Sequence, residues 1–253
     1  DARLSAPLRF RELIPIDRAE GRILLLPESG GLMVESTRLE VVGPGYAAEG
    51  NLQLAFREGQ RPFLDLLVSV PAGEVRAAPY FWLIDVMPPA TVAWLDQALS
   101  TGTVSGGRWL WRGPVGKGAL PYRGHEGRME AVATLAETSL AFHPEWPVGE
   151  GLSVRLQFTD RGLSGVVDDA RLAGNPVQGL RVELPDLKAP VLSLSLEAQA
   201  AEAKPLLALL RQSPLRQKHA ETLELLEGSG PARVDVSMVL PLKRELGRPQ
   251  YAG

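Results

Sequence analysis

Apolar and polar positions alternate along most of this chain. Leu52, Leu54 and Phe56 fall on one side and Gln53 and Ala55 on the other. The same period recurs in Leu64, Leu66, Val68 and Val70, and in Leu152, Val154, Leu156 and Phe158. It returns in Leu180, Val182 and Leu184, in Leu192, Leu194, Leu196 and Ala198, and in Val234, Val236, Met238 and Leu240. The opposite positions hold mostly Ser, Arg, Gln, Glu and Thr. Such strands belong to an antiparallel sheet with one apolar face. Asp160-Arg161-Gly162, Gly174-Asn175-Pro176 and Pro185-Asp186 are turn signals, spaced at roughly 8–12 residues as such a sheet requires. Further short strands are predicted at residues 13–16, 21–27, 31–37, 39–42, 128–135, 139–142, 163–167 and 170–172.

Two passages break the period. Residues 91–99 read as a helix, with Thr91 as N-cap behind Pro88-Pro89. Val92, Leu95 and Leu99 form its apolar face, and Gly102 stands where a left-handed C-terminal cap belongs. Residues 205–227 carry Leu206, Leu207, Leu209 and Leu210, then Leu223 and Leu226, with Gly228 as the stop. Trp109 and Trp111 share a strand face. A Gly-Pro corner follows each helical passage, Gly113-Pro114 and Gly230-Pro231, a weak sign of a duplicated unit. The fold class is mainly β with two or three short helices. Alternation alone leaves two arrangements open. The apolar face is covered by a second sheet in a closed sandwich, or it lines a curved, open trough.

Composition narrows the partners. The net charge of −3 gives no general attraction to nucleic acid or acidic lipid. Cysteine is absent, which fits an oxidising compartment as well as many reducing ones. No apolar run nears the roughly 20 residues that span a bilayer. The chain opens and closes in mid-pattern, so it reads as a segment of a longer protein. Its first and last strands are then expected to pair with neighbours or to self-associate.

Catalytic chemistry is hard to assemble. His125, His143 and His219 lack metal-ligand spacing and read as surface residues. Asp168 and Asp169 are adjacent in a strand and so face opposite ways. Gly116-Lys117 lacks the flanking residues of a phosphate loop. No metal, cofactor or catalytic group is predicted.

Short motifs, in order, carry a resemblance. Trp94-Leu95 in a helix, Gly102, Trp111-Arg112-Gly113-Pro114 and Leu120-Pro121-Tyr122 resemble the central region of YhdP-like proteins, members of the AsmA-like family of Gram-negative envelope proteins. The likeness continues through Phe142-His143-Pro144-Glu145-Trp146-Pro147, Gln212-Ser213-Pro214-Leu215, Gly228-Ser229-Gly230-Pro231 and Leu240-Pro241-Leu242. Residues 116–119 lengthen one loop relative to that pattern.

The resemblance implies a long curved antiparallel sheet forming an apolar, trough-like groove. Residues 1–80 would be a strand segment of the groove, 81–242 the YhdP-like central region and 243–253 a tail. It implies phospholipid as the cargo, a periplasmic location, an inner-membrane anchor outside this segment and the outer membrane as the far end. It supplies no catalytic residues and no nucleic-acid partner. The working part would be the lining: Leu64, Leu66, Val68, Leu152, Val154, Leu156, Phe158, Leu180, Val182, Leu184, Leu192, Leu194, Leu196, Val234, Val236 and Met238. Two rivals stand beside it. One is a periplasmic scaffold for outer-membrane biogenesis with a closed β core. The other is an enzyme with a hydrophobic substrate, which the missing chemistry disfavours.

Overall fold

The computed structural model describes residues 2–4, 10–11, 13–84, 87–116, 118–200, 202–213, 215–248 and 250–252. Lys117 and Pro214 lie outside these, as do the side chains of Ala198, Leu215 and His219.

The elements follow the predicted order. Strands β1 (Ala2–Leu4) and β2 (Ile14–Ile16) pair with each other as a small separate sheet. Then come β3 (Arg18–Glu28), β4 (Gly31–Gly43), β5 (Tyr46–Arg57), β6 (Phe63–Val70), β7 (Gly73–Glu74) and a 3-10 helix over Val75–Phe81. Helix α1 (Pro89–Ala98) leads into β8 (Leu99–Pro114), β9 (Arg128–Leu140), β10 (Gly149–Thr159) and β11 (Leu163–Leu172). Strands β12 (Asn175–Val177), β13 (Leu180–Leu184) and β14 (Val191–Ala200) follow. Helices α2 (Ala203–Gln212) and α3 (Leu215–Leu225) precede β15 (Ala232–Pro241), a 3-10 turn at Arg244–Leu246 and β16 (Gln250–Ala252).

Fourteen strands join one large sheet in the order β16-β15-β14-β13-β11-β10-β9-β8-β6-β5-β4-β3, with β12 on β11 and β7 on β5 and β8. Each ladder whose register is described is antiparallel. The chain divides into two compact units. One holds Asp1–Asp96, Thr103–Thr134 and Gln157–Arg161; the other holds Gln97–Gly102, Leu135–Leu156 and Gly162–Gly253.

Several boundaries differ from the sequence reading, for local reasons. Residues 31–37 and 39–42 are one strand, β4. Its register shifts between Ser36 and Leu39, so one extra residue is held in a bulge. Arg38 sits there at φ 58, and its N–H donates to Asn51 Oδ1 at 3.0 Å. The bulge resets the phase, so Leu32, Val34 and Ser36 share a face with Leu39 and Val41. Residues 128–135 and 139–142 likewise merge, as far as Leu140, into β9. There Glu137 has φ 50 between buried Leu135 and buried Thr138.

Thr91 is not the N-cap. Helix α1 begins at Pro89, whose fixed φ and missing N–H suit a first turn, and the Thr91 N–H donates to the Pro88 carbonyl at 2.9 Å. Gly102 is not a C-cap either. It lies inside β8 with φ 129, where a Cβ would come within 2.4 Å of Thr138 Oγ1. Close approach of two strands, rather than helix termination, requires glycine there. Of the predicted helix face, Val92, Leu95 and Leu99 are half-buried, and Trp94 is 44% exposed. Asp96 holds the helix by accepting from Trp82 Nε1 at 3.2 Å and pairing with Arg11.

At one end of the first unit Tyr46 is buried with Ile14 and Ala77 and meets Phe81 edge-on, ring centroids 5.0 Å apart. Its hydroxyl donates to the Pro15 carbonyl at 2.7 Å. Burial, with help from Asp17 and Tyr80, pushes its pKa up to about 12. The folded value therefore exceeds the unfolded one, so Tyr46 stabilises the fold fully below pH 10 and loses that contribution as pH rises towards 12. Burial raises the Tyr122 hydroxyl as well, so alkaline titration followed by phenolate absorbance should show more than one late step, one of them from Tyr46. Tyr46→Phe should remove that step and flatten the stability loss across the same window. A variant that melts with the parent's pH dependence would contradict this assignment.

Candidate functional site: the apolar sheet face

Residues directly opposite each other on antiparallel strands point to the same side, so register shows which residues share a face. In the second unit Gly165 of β11 faces Val182 of β13, Val182 faces Leu194 of β14, and Leu194 faces Met238 of β15. Beside this row, Leu192 pairs with Leu240, Leu196 with Val236, and Ala198 with Val234. Leu180 pairs with Val167 and Leu184 with Leu163. The remaining predicted lining of this unit lies on β10 (Leu152, Val154, Leu156). Leu156 packs close to the β11 row: a Cβ on Gly165 would come within 2.8 Å of its Cδ2.

Burial divides this face. Leu152, Val154, Val167 and Leu184 are buried. Leu156, Leu180, Val182, Leu192, Leu194, Leu196, Val234, Val236 and Met238 are all half-buried. A filled core would bury them, and isolated strands would expose them. The other face is polar: Arg181 pairs with Ser195, Glu183 with Ser193, and Glu197 with Asp235. On β10 and β11, Arg155 donates twice to Asp168, at 2.8 and 2.9 Å, which holds the Asp168 carboxyl below its usual range.

The two helices of this unit form a braced hairpin. Arg211 of α2 donates to the carbonyls of Leu223 (2.9 Å) and Leu226 (2.7 Å), which lack helical partners at the end of α3. Ala203 N–H donates to the Gly230 carbonyl at 2.8 Å, and Gly230 N–H to Glu202 Oε2 at 3.0 Å. The second Gly-Pro corner thus clamps the start of α2. Buried Asn175, at the β11–β12 turn, reaches the Pro205 carbonyl at 3.3 Å.

In the first unit the register continues the same rule. Leu54 faces Leu64, while Leu52 faces Leu66, which faces Trp111. Val68 faces Trp109. Phe158 lies in the part of β10 that belongs to this unit and is half-buried. Here Leu64 and Trp111 are buried, while Leu52, Leu54, Leu66 and Val68 are half-buried like the row of the second unit. Leu64, Leu83, Trp111, Val115 and Tyr122 form a buried cluster against which Leu52, Leu54, Leu66, Trp109 and Phe10 pack. Trp111 Nε1 donates to Tyr122 Oη at 2.8 Å, and Tyr122 donates to the Pro114 carbonyl. Two glycines make room: a Cβ on Gly113 or on Gly127 would come within 2.8 Å of the Tyr122 ring. The face opens towards β3, where Ile23 is 62% and Leu25 64% exposed.

The alternation put the predicted lining on shared strand faces but missed this cluster. The available signal was the pair of glycines flanking Tyr122, whose close approach only the folded chain reveals. Among the candidate histidines, His125 and His143 are exposed. Among the described residues no group of three or more His, Cys, Asp or Glu could hold a metal ion, and no helix is long and apolar enough to cross a membrane.

The fold is mainly β, and its sheet carries an apolar face in both units. The YhdP family, described as YhdP protein, matches residues 1–251, and the chain belongs to that family. It is similar to "Intermembrane phospholipid transporter YhdP" of Escherichia coli (strain K12), with 22% identity over 237 residues, 94% of this chain. The chain spans 18% of that protein's length. No solved structure matches.

Proposed function

We propose that this chain is one stretch of an apolar β-groove along which phospholipid passes between the inner and outer membranes. It would stand in the periplasm, in a protein anchored to the inner membrane. The observation that carries this reading is the in-register row Val182–Leu194–Met238 with its half-buried neighbours. Similarity to the intermembrane phospholipid transporter of Escherichia coli, within the same family, supports phospholipid as the cargo.

The physics suits transport. A strand of eight residues spans about 26 Å, and one leaflet's hydrocarbon is roughly 15 Å deep. An acyl chain therefore fits along a strand, across the width of the sheet. Exposing it to water costs about 0.8 kcal/mol per CH₂, on the order of 10 kcal/mol or more for a whole chain. A continuous apolar face removes most of that cost along the path, without a tight pocket to trap the cargo. The headgroup stays in water at the open side. Only the lining matters, so no catalytic group is needed.

The test is a leucine-sized diazirine side chain placed at Leu194 in the full-length protein in its native envelope. Irradiation should attach phospholipid to it. The same probe at Ser195, on the polar face, should stay unlabelled. Equal labelling at both positions, or none at Leu194, would overturn the reading.

A further inference from the structure

The central strands of the second unit finish differently at their two ends. The Ala200 end of β14 and the Ala232 end of β15 are joined by the α2–α3 hairpin. The opposite end, at Val191 and Pro241, is bounded by the 185–190 turn and by the segment that follows β15. There the Leu242 N–H donates to the Pro190 carbonyl at 2.8 Å, so the β14–β15 ladder runs one residue past the Val191–Pro241 pair. Period two puts Leu242 on the side of Leu240 and Met238. Leu242 is 56% exposed, and Leu187 in the adjoining turn is 42% exposed. Lys243 Nζ donates to the Lys188 carbonyl at 3.0 Å, which holds one ammonium against the turn that carries the other. Both lysines are exposed, and among the described residues neither forms an ion pair.

We infer that Lys188 and Lys243 hold the phosphodiester of the passing phospholipid while its acyl chains lie on the Leu194–Met238 face. Headgroups then travel at this one end of the strands. The inference rests on the lipid-groove reading and adds to it an orientation for the cargo.

An acyl chain laid along a strand must bring its headgroup out at one strand end or the other. Charge separates the two. Segments 185–190 and 241–249 hold four basic residues (Lys188, Lys243, Arg244, Arg248) against two acidic ones (Asp186, Glu245), in a chain whose net charge is −3. The hairpin end is balanced: residues 201–231 carry four of each sign, and Arg211 is committed to the carbonyls of Leu223 and Leu226. Asp186 Oδ1 accepts from the Lys188 N–H at 2.8 Å, so that carboxylate braces the turn's own backbone. An ammonium has three donors, and Lys243 gives one to the Lys188 carbonyl, which leaves two for phosphate oxygens. The apolar side grades the same way. It passes from half-buried Leu192 and Leu240 to exposed Leu242 and then to Lys243, the order of acyl chain, glycerol and phosphate in the lipid. Exposed lysines bind a phosphate weakly in water, so they orient a lipid without stopping it.

The test uses the full-length protein in its native envelope, with the leucine-sized diazirine at Leu242, Leu194 or Val234 in separate samples. After irradiation, mild alkali cleaves the lipid esters, and mass spectrometry of the labelled peptide shows what stays attached. Glycerophosphate-bearing adducts are expected at Leu242, and fatty-acyl adducts at Leu194 and at Val234, which lies towards the hairpin end. Lys188→Gln with Lys243→Gln, two exposed changes that should leave the circular dichroism spectrum unaltered, should lower the glycerophosphate share at Leu242 about fivefold, the scale of a pair of exposed charge contacts. Fatty-acyl adducts alone at Leu242, or glycerophosphate adducts at Val234, would overturn the orientation and leave the groove standing. An unchanged glycerophosphate share in the double variant would take the phosphate off these lysines. Labelling at none of the three positions would overturn the groove, and this inference with it.

Discussion

Trp111→Ala should lower the stability of the protein by about 3–5 kcal/mol, the range for deleting a fully buried aromatic ring. Trp111 has no exposed surface and stands at the centre of the cluster formed with Leu64, Leu83, Val115 and Tyr122. Its removal leaves a cavity that the strands cannot collapse into, because Leu66 and Trp111 are fixed opposite each other by the β6–β8 ladder. It also leaves Tyr122 without the donor that now reaches it at 2.8 Å. Trp94→Ala is the control. That residue has the same chemistry but is 44% exposed, and its loss should shift stability by about 1 kcal/mol or less. Urea denaturation of both variants gives the comparison. A Trp111→Ala loss no larger than that of Trp94→Ala would mean that the cluster is not a packed core.

The sheet was legible because period-two alternation survives in a single sequence wherever one face is apolar. Period two puts Leu192, Leu194 and Leu196 on one side, and the β14–β15 register sets all three opposite apolar partners. The phase slips were not legible as single strands. At Thr37-Arg38 and at Glu137 the alternation changes parity, which in sequence reads as one strand ending and another beginning. A bulge gives the same signal without ending the strand. Gly102 misled in a related way. A glycine after a helix suggests a cap, but here it answers Thr138, which is distant in sequence and close in space. Coverage of the face was the least legible feature. The sequence pattern around Leu64 and around Leu194 is the same, yet Leu64 is buried in the cluster with Trp111 and Tyr122 while Leu194 is half-buried.

Leu194→Asp should separate folding from transport. Leu194 is half-buried between Val182 and Met238, so a carboxylate there can reach water instead of lying unpaired in a core. The domain should fold, with a far-UV circular dichroism spectrum like the parent's. Leu152→Asp is the contrasting case. Leu152 is buried in the same unit, and a charge there should unfold it. Lipid passage should respond in the opposite sense to the mild folding effect of Leu194→Asp. A charge in a hydrocarbon path costs on the order of 2.5–3.5 kcal/mol, enough to slow each crossing about a hundredfold. The measurement pairs the circular dichroism spectrum with phospholipid labelling from a diazirine at Leu196, one step along the same face. A folded Leu194→Asp protein that has lost labelling at Leu196 is the expected result. An unfolded protein would place Leu194 in a closed core, and a folded one with undiminished labelling would take the lipid path off this row.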